Sequence, residues 1–275
     1  MRTIAGIRSQ MFALGLVLLT VGSMRAQPVV VRQPEGSVRG FLVLRSMDGT
    51  IIADGDATQV TRGGQITNRL TFHFKDGSLQ DETVVFTQKG SFRVLSDHFV
   101  QRGPAFKHPM DISINGVTGQ VTVRSMNDKG QETTDAATMK LPPELANGIV
   151  PMVLKNLAPG TRSITEAMVV GTPKPLLVKL AISAEGEDTF TTGSASHKAT
   201  RYVVKVDIGG IRGAIAPLVG KQPPDTRVWI STGDCPSFLK AEGPGYEGGP
   251  IWRTELVSPV WPEAGGGPRT ADRKK

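Results

Sequence analysis

The chain has 275 residues, a formal net charge of +7 and a single cysteine. Three of the positive charges lie in residues 1–26 and a net three lie in residues 264–275, which leaves +1 for residues 27–263. A nearly neutral body lacks the clustered Lys and Arg on which nucleic-acid affinity depends, so we expect no nucleic-acid partner. The lone Cys235 excludes an intrachain disulfide and a cysteine-based metal site, and we expect it to be a partly buried small residue.

Residues 1–26 have the pattern of a signal peptide. Two arginines precede an uncharged apolar run at residues 11–21, which is shorter than the roughly 20 apolar residues of a membrane-spanning helix. Cleavage is expected after Ser23 or after Ala26. We therefore expect a periplasmic or secreted protein that keeps no transmembrane segment after cleavage; the alternative is an N-terminal helix buried in the fold.

Apolar and polar residues alternate along the first half of the body, which is typical of strands with one buried face. In NRLTFHF, Leu70, Phe72 and Phe74 share one face. The following Asp76-Gly77 predicts a hairpin turn in which both central residues take positive φ. Further strand-like runs are GFLVLRS, TIIADG, DETVVFT, SFRVLSDHFVQRG, MDISIN and QVTVRS. Strands and turns at such short intervals predict an antiparallel meander.

The pattern changes at residues 142–160, where apolar residues recur at helical spacing. Gly148 and Pro151 lie inside this stretch and predict a kink or two short helical pieces. Strand-like runs then resume at PLLVKLAIS, RYVVKVDI, RVWIS and IWRTELVS. The predicted fold is mainly β: an antiparallel meander that forms a curved sheet or half-open barrel with one kinked helix. Residues 27–263 form the β-rich domain, with a soft division near the helix, and residues 264–275 are expected to be a disordered basic tail.

Catalytic and cofactor motifs are missing from the sequence. The patterns G-x-S-x-G, H-E-x-x-H, G-x-x-x-x-G-K-[ST] and G-x-G-x-x-G do not occur in a suitable context. The four histidines are His73, His98, His108 and His197. Asp97 and His98 are adjacent in a strand, so they point to opposite faces and form no local acid-base pair. We therefore predict no catalytic residue, no metal site and no cofactor, although a hydrolase site could still be assembled from distant residues, with His73 or His98 included.

Three aromatic residues are candidates for ligand binding: Tyr202, Trp229 and Trp252. Aromatic side chains on the concave face of a sheet can line an apolar ligand cavity, whereas the alternative is an ordinary core position. We expect Tyr202 to face the interior together with Val204, Val206 and Ile208. The apolar segment at residues 211–220 could be a lid over one end of the sheet or a simple plug.

The order of the pieces in the second half resembles a known family. The helical stretch is followed by TEAMVVGTPKPLLVKLAIS, KATRYVVKVDIGG, DTRVWISTGDCPSFLKAEG and RTELVSP. This order is similar to that of exported bacterial proteins with a β-rich domain of unknown function, over residues 68–260, with a departure at residues 211–225. The resemblance implies an architecture similar to the open barrels that carry lipids or lipoproteins across the periplasm, and it implies no catalytic residues.

Three functional hypotheses follow. The first is an exported, non-catalytic envelope protein that binds an apolar ligand or a partner protein in the concave face of its sheet. The second is a secreted hydrolase, and the third is a structural or interaction domain without a ligand. An apolar concave surface favours the first, a histidine that meets a carboxylate and a serine in a cleft favours the second, and a filled interior favours the third.

Overall fold

The computed structural model describes residues 28–127, 130–171, 174–192, 195–207 and 223–257. Several predictions concern residues outside these ranges: the signal peptide, the orientation of Ile208, the apolar segment at 211–220 and the basic tail. No helix within the described ranges is long and apolar enough to cross a membrane.

Fourteen strands and one short helix make up the regular structure of these ranges. The first eight strands are β1 (Val38–Ser46), β2 (Ile51–Arg62), β3 (Gln65–Phe74), β4 (Leu79–Thr87), β5 (Arg93–Arg102), β6 (Met110–Asn115), β7 (Gln120–Met126) and β8 (Glu132–Thr138). After them come α1 (Val150–Lys155), β9 (Ser163–Gly171), β10 (Pro175–Thr192), β11 (Ala195–Asp207), β12 (Thr226–Ser231), β13 (Phe238–Pro244) and β14 (Ile251–Val257).

The described strands form one antiparallel sheet built from two meanders. Each strand from β1 to β8 pairs with the next, and so does each strand from β9 to β14. The meanders join edge to edge because β1 pairs with β14, with Leu44 opposite Thr254. The ends of the sheet are therefore β8 and β9, and the sheet does not close into a barrel. The predicted mainly β fold, an antiparallel meander in a curved sheet, is confirmed.

The hairpin predicted at Asp76-Gly77 joins β3 to β4, but its turn differs in detail from the prediction. Gly77 takes a φ of +84°, and no residue other than glycine has a positive φ in the described ranges. The Asp76 carboxylate accepts a hydrogen bond from the Ser78 N–H at 2.9 Å, and the Gly77 N–H donates to the Phe74 carbonyl. The side chain of Asp76 thus supports the turn without a left-handed backbone, so the expectation of two positive φ angles is wrong.

The helix is shorter than the apolar spacing predicts. Gly148 has a φ of +66°, which no α-helix contains, and Pro151 lies in the first turn, so α1 begins only at Val150. Before it, residues 147–149 form a turn, and Leu145 forms a single parallel bridge with Ala167 of β9. The Ala146 N–H donates to the Ala167 carbonyl at 2.8 Å, and the Ala167 N–H donates to the Glu144 carbonyl at 3.0 Å. The part of the predicted helix before Val150 is therefore made of turns and one bridge to β9.

The helix lies between the two halves of the sheet and fills part of the concave side, the side that carries the core. Met152 and Val153 pack in a cluster with side chains of β3–β7 and β9, whereas Leu154 packs with β10, β11 and β12. A third cluster, which includes Phe72, Phe74 and Trp252, lies under β1–β3 and β14. Burial of each such side chain contributes about 1.5–3 kcal/mol, so the helix is held mainly by its packing.

The edge at β9 curls onto the inner face of β6. Val169 shares a cluster with Ile112, and a Cβ atom on Gly171 would lie 2.3 Å from the Ile112 Cδ1 atom. The only side chain that fits at position 171 without displacing Ile112 is therefore that of glycine. The chain before β1 is tied to the helix, because Asn156 Oδ1 accepts hydrogen bonds from the Arg32 and Gln33 N–H groups at 2.6 Å each. These contacts keep α1 seated on the concave side.

Candidate functional site

Concave side chains lie in rows across the strands, because paired residues in register point to the same face. One row passes from Gly40 in β1 to Ala57 in β2, Leu70 in β3 and Glu82 in β4, each opposite the next. Next to this row, Leu256 in β14 is opposite Leu42, and its side chain leans toward Gly40, where its Cδ1 atom would lie 3.4 Å from a Cβ atom on Gly40. We call these five residues the concave strip.

The concave strip is less covered than its surroundings. Leu256 is 45% exposed and the other four members are partly buried. The row on one side includes Leu42 at 6% and Phe72 at 2%, and the row on the other side includes Gln59 at 4% and Val84 at 0%. The small residues of the strip, Gly40 and Ala57, lie between the larger side chains of Leu256 and Leu70. The strip is therefore a shallow apolar depression that ends at a carboxylate.

Two carboxylates lie at the β4–β5 end of the concave strip. Asp97 is opposite Val84, one residue pair from Glu82, so the two acids are diagonal neighbours on the same face. Burial, followed by the charge of the nearby Asp81, raises the pKa of Glu82 to about 7. Burial and then Glu82 raise the pKa of Asp97 well above its usual range. Asp97 is 3% exposed, and its Oδ1 atom has no hydrogen-bond partner among the described residues.

A third buried acid belongs to a different region. Glu166 in β9 lies opposite Leu180 and is 3% exposed. Its Oε1 atom also has no hydrogen-bond partner in the described ranges, and burial, followed by the charge of Glu144, raises its pKa to about 8. Because Glu166 belongs to the sheet edge that the segment before α1 covers, it contributes to the packing of that segment rather than to the strip.

The structure places the three aromatic candidates in separate surroundings. Tyr202 is half-buried on the concave side and packs against the cluster around α1 and β10–β12. Trp252 is buried, with its ring centre 5.4 Å from that of Phe74. Trp229 points to the outer face, where its N–H donates to Asp188 at 2.6 Å and Lys240 Nζ lies 3.9 Å from its ring centre. They do not form one site.

The histidines lie on the outer surface. Asp97 is buried on the concave side while His98 is exposed on the outer face, which confirms that the adjacent pair cannot interact. His98 Nε2 is instead 3.0 Å from Asp111 Oδ1. His73 pairs with Leu79, whereas His98 pairs with Thr83, four residues further along β4, so the sheet does not bring the two histidines together.

The described ranges contain no group of three or more His, Cys, Asp or Glu residues that could hold a metal ion. His108 is exposed, and the His197 ring stacks on Phe190 with 5.3 Å between ring centres. No serine, threonine or tyrosine hydroxyl in the described ranges is bonded to His98, whose hydrogen-bond partner is Asp111. Cys235 is exposed, so the expectation of a partly buried cysteine is wrong. It lies in the connection between β12 and β13, where no strand covers it.

The carboxylates and Leu256 were not among the residues predicted from the sequence. Glu82 lies two and four residues before Val84 and Phe86, so it faces the same side of the strand. The alternation alone could therefore have identified Glu82 as an acid on a buried face. Asp97 could not be identified in this way, because an irregularity in the pairing of β4 with β5 changes the alternation after Val94.

Comparisons with known proteins give a fold-level likeness. No protein-family model matches the chain, and no curated protein matches it. Among solved structures, the chain is similar to a β-barrel-like protein of domain of unknown function DUF1849 from Brucella abortus. The identity is 8% and the TM-score is 0.45, over 81% of this chain and 96% of that chain.

Proposed function

We propose that the protein is an exported, non-catalytic binding protein of the cell envelope that holds an apolar ligand along the concave strip. The observation that carries the proposal is the exposure of Leu256, 45%, on a face where Leu42, the residue opposite it, is 6% exposed. Covering a leucine side chain releases about 1.5–3 kcal/mol, so an apolar molecule placed there gains binding energy. The signal-peptide pattern of residues 1–26 supports export.

The dimensions of the concave strip suit an elongated apolar group. It crosses five neighbouring strands, from β14 through β1, β2 and β3 to β4. Strands in a sheet are about 4.8 Å apart, so the strip is roughly 19 Å long before curvature shortens it. A single extended hydrocarbon chain matches this length and the one-residue width better than a compact ring system does.

Binding of a fluorescent apolar probe tests the proposal. N-phenyl-1-naphthylamine should become brighter on the purified protein, and dodecanol should displace it. Leu256→Asp should weaken probe binding by at least tenfold, because it places a charge in the strip. Val60→Asp is the matched control, since Val60 is 50% exposed and points to the outer face of β2.

Two results would overturn the proposal. One is the absence of any probe binding by a protein whose circular dichroism shows the folded sheet, which would favour a structural or interaction domain without a ligand. The other is equal loss of binding in Leu256→Asp and Val60→Asp, which would place the bound probe away from the concave strip. Binding of an apolar partner segment in place of a small molecule would appear as probe displacement by a peptide but not by dodecanol.

A further inference from the structure

The two carboxylates at the end of the concave strip have no countercharge in the described part of the chain. Neither Glu82 nor Asp97 takes part in an ion pair or in a hydrogen bond with another side chain there, and Asp97 interacts only with the backbone of His98. Fourteen ion-pair contacts occur elsewhere in the same ranges. Buried acids are normally paired or hydrogen-bonded, because removing a carboxylate from water is costly. An unpaired pair of acids is therefore unusual.

The chain packs an uncharged segment against these acids. A Cβ atom on Gly148 would lie 3.3 Å from Glu82 Oε1, so the segment before α1 closes one side of the carboxylate without donating a hydrogen bond to it. Along the strand, Gln80 is bonded to Gln101, whose amide also donates to the Gly245 carbonyl at 3.0 Å. The side-chain amides of Gln80 and Gln101 are therefore hydrogen-bonded to each other and not to Glu82. A ligand would approach Glu82 from the side that faces the strip.

We propose that the ligand of the concave strip is an amphiphile with a positively charged amine head group, which Glu82 holds, with Asp97 buried behind it, while its hydrocarbon chain lies over Leu70, Ala57 and Leu256. This inference rests on the proposed function and adds the chemical class of the ligand. An ammonium group supplies three hydrogen-bond donors and one positive charge, which suit the Glu82 carboxylate at the strip, and the buried Asp97, whose Oδ1 atom has no hydrogen-bond partner in the described ranges, adds a second acid next to it. The apolar strip also binds the hydrocarbon chain of such an amphiphile, so the site should prefer it to a simple cation, which has no such chain.

Four probes of related structure distinguish the possibilities, each below its micellar concentration. Dodecylamine should bind at least tenfold more tightly than dodecanol, and dodecanoate should bind more weakly than either, because its head group repels the acids. Butylamine carries the same head group without the long chain and should bind at least tenfold more weakly than dodecylamine. Isothermal titration calorimetry measures all four.

Variants of the acids provide the second half of the test. Glu82→Gln and Asp97→Asn keep the side-chain size and remove a buried group that can ionise, so they should fold. Each should reduce the preference for dodecylamine over dodecanol by at least tenfold while dodecanol binding is kept. Asp54→Asn is the control, because it removes the same charge from an exposed position on the outer face of β2.

The outcomes separate this inference from the proposed function. Two results would contradict an amine head group while leaving an apolar site in place. One is equal affinity of the wild-type protein for dodecylamine and dodecanol, and the other is an unchanged preference for dodecylamine in both acid variants. The two acids would then share a proton and bind no ligand. Butylamine binding as tight as dodecylamine binding would overturn the amphiphile. Failure of all four probes would overturn the proposed function itself.

Discussion

The side chain of Asn147 takes the place of a strand residue beside Val169. Its Nδ2 atom donates to the Val169 carbonyl at 2.9 Å, and its Oδ1 atom accepts from the Val169 N–H at 2.8 Å. The exposed backbone of a sheet edge is prone to pair with other chains. Here Glu144, Ala146 and Asn147 together satisfy the edge of β9, so the chain itself covers one of the two ends of its sheet.

Replacement of Asn147 should show how much this cover contributes. Asn147→Ala leaves a buried N–H and a buried carbonyl of Val169 without partners, so the free energy of unfolding should fall by about 2–4 kcal/mol. Urea denaturation followed by circular dichroism measures the change. Asn115→Ala is the control: Asn115 also accepts hydrogen bonds from backbone N–H groups, but it is exposed, and its loss should cost under about 1 kcal/mol. Equal effects of the two substitutions would contradict the role of Asn147.

Gly148 offers a second test of how the segment before α1 is seated. Gly148→Ala adds a Cβ atom 2.9 Å from the Val84 Cβ atom, at a residue whose φ is +66°. Gly49→Ala meets nothing within 4 Å at a φ of +93°, so it adds backbone strain alone. Strain costs about 1–2 kcal/mol in both variants, and overpacking should cost Gly148→Ala about 1–3 kcal/mol more. If Gly148→Ala and Gly49→Ala lowered the urea midpoint by the same amount, the segment before α1 would not be tightly packed against β4.

Local alternation predicted most of the strands, but it did not predict β8, β9 or β13, and it does not show how the strands meet. The faces of β3 and β11 follow directly from the period of two. The joining of β1 to β14 does not, because it depends on contacts between distant parts of the chain, such as the 3.0 Å ion pair of Arg45 with Glu255. The helix was overestimated because Leu145 and Ala146 are buried for another reason: they lie beside β9. A helical spacing of apolar residues does not distinguish these two kinds of burial.

The candidate site was predicted only in outline. A concave binding face follows from a curved antiparallel sheet, but the aromatic residues were a poor guide, because a large ring such as that of Trp252 fills the core as readily as it lines a cavity. The position of Leu256, whose Cδ1 atom would lie 3.4 Å from a Cβ atom on Gly40, depends on the pairing of β14 with β1. That relationship appears only once the register between β14, β1 and β2 is known.

The outer-face histidine should be dispensable. His98 is half exposed, and ion pairs of this kind contribute about 0–1 kcal/mol, so His98→Ala should change the free energy of unfolding by less than about 1 kcal/mol. Probe binding on the concave strip should not change, because His98 points away from it. His73→Ala, also exposed, serves as the control. An ester or peptide hydrolysis that the wild-type protein performs and His98→Ala abolishes would favour the hydrolase hypothesis.

Export should leave a shortened chain. The apolar run ends at about Val21, so mass spectrometry of the protein from the periplasm or medium should find an N-terminus at Met24 or Gln27. Leu18→Arg places a charge inside the run and should keep the protein in the cytoplasm with its N-terminus uncut. Recovery of the wild-type chain with an intact Met1 terminus from a membrane fraction would contradict the signal-peptide interpretation.

Stability should fall as the pH rises from 5 to 9, and the buried acid in β9 should contribute to this fall together with Glu82 and Asp97, whose pKa values are also raised. Burial raises the pKa of Glu166 from its ordinary 4.5 to about 8, so the folded protein keeps this proton at pH values where the unfolded chain has lost it. The contribution of Glu166 is then fully present below pH 4.5, is lost progressively up to about pH 8, and changes no further above that pH.

Glu166→Gln cannot ionise, so its free energy of unfolding should match that of the wild type at pH 5 and exceed it at pH 9. Glu132→Gln, at an exposed position of β8, should keep the wild-type slope. Urea denaturation at each pH measures these differences, and a Glu166→Gln variant that loses stability as steeply as the wild type would show that Glu166 is already ionised in the folded protein.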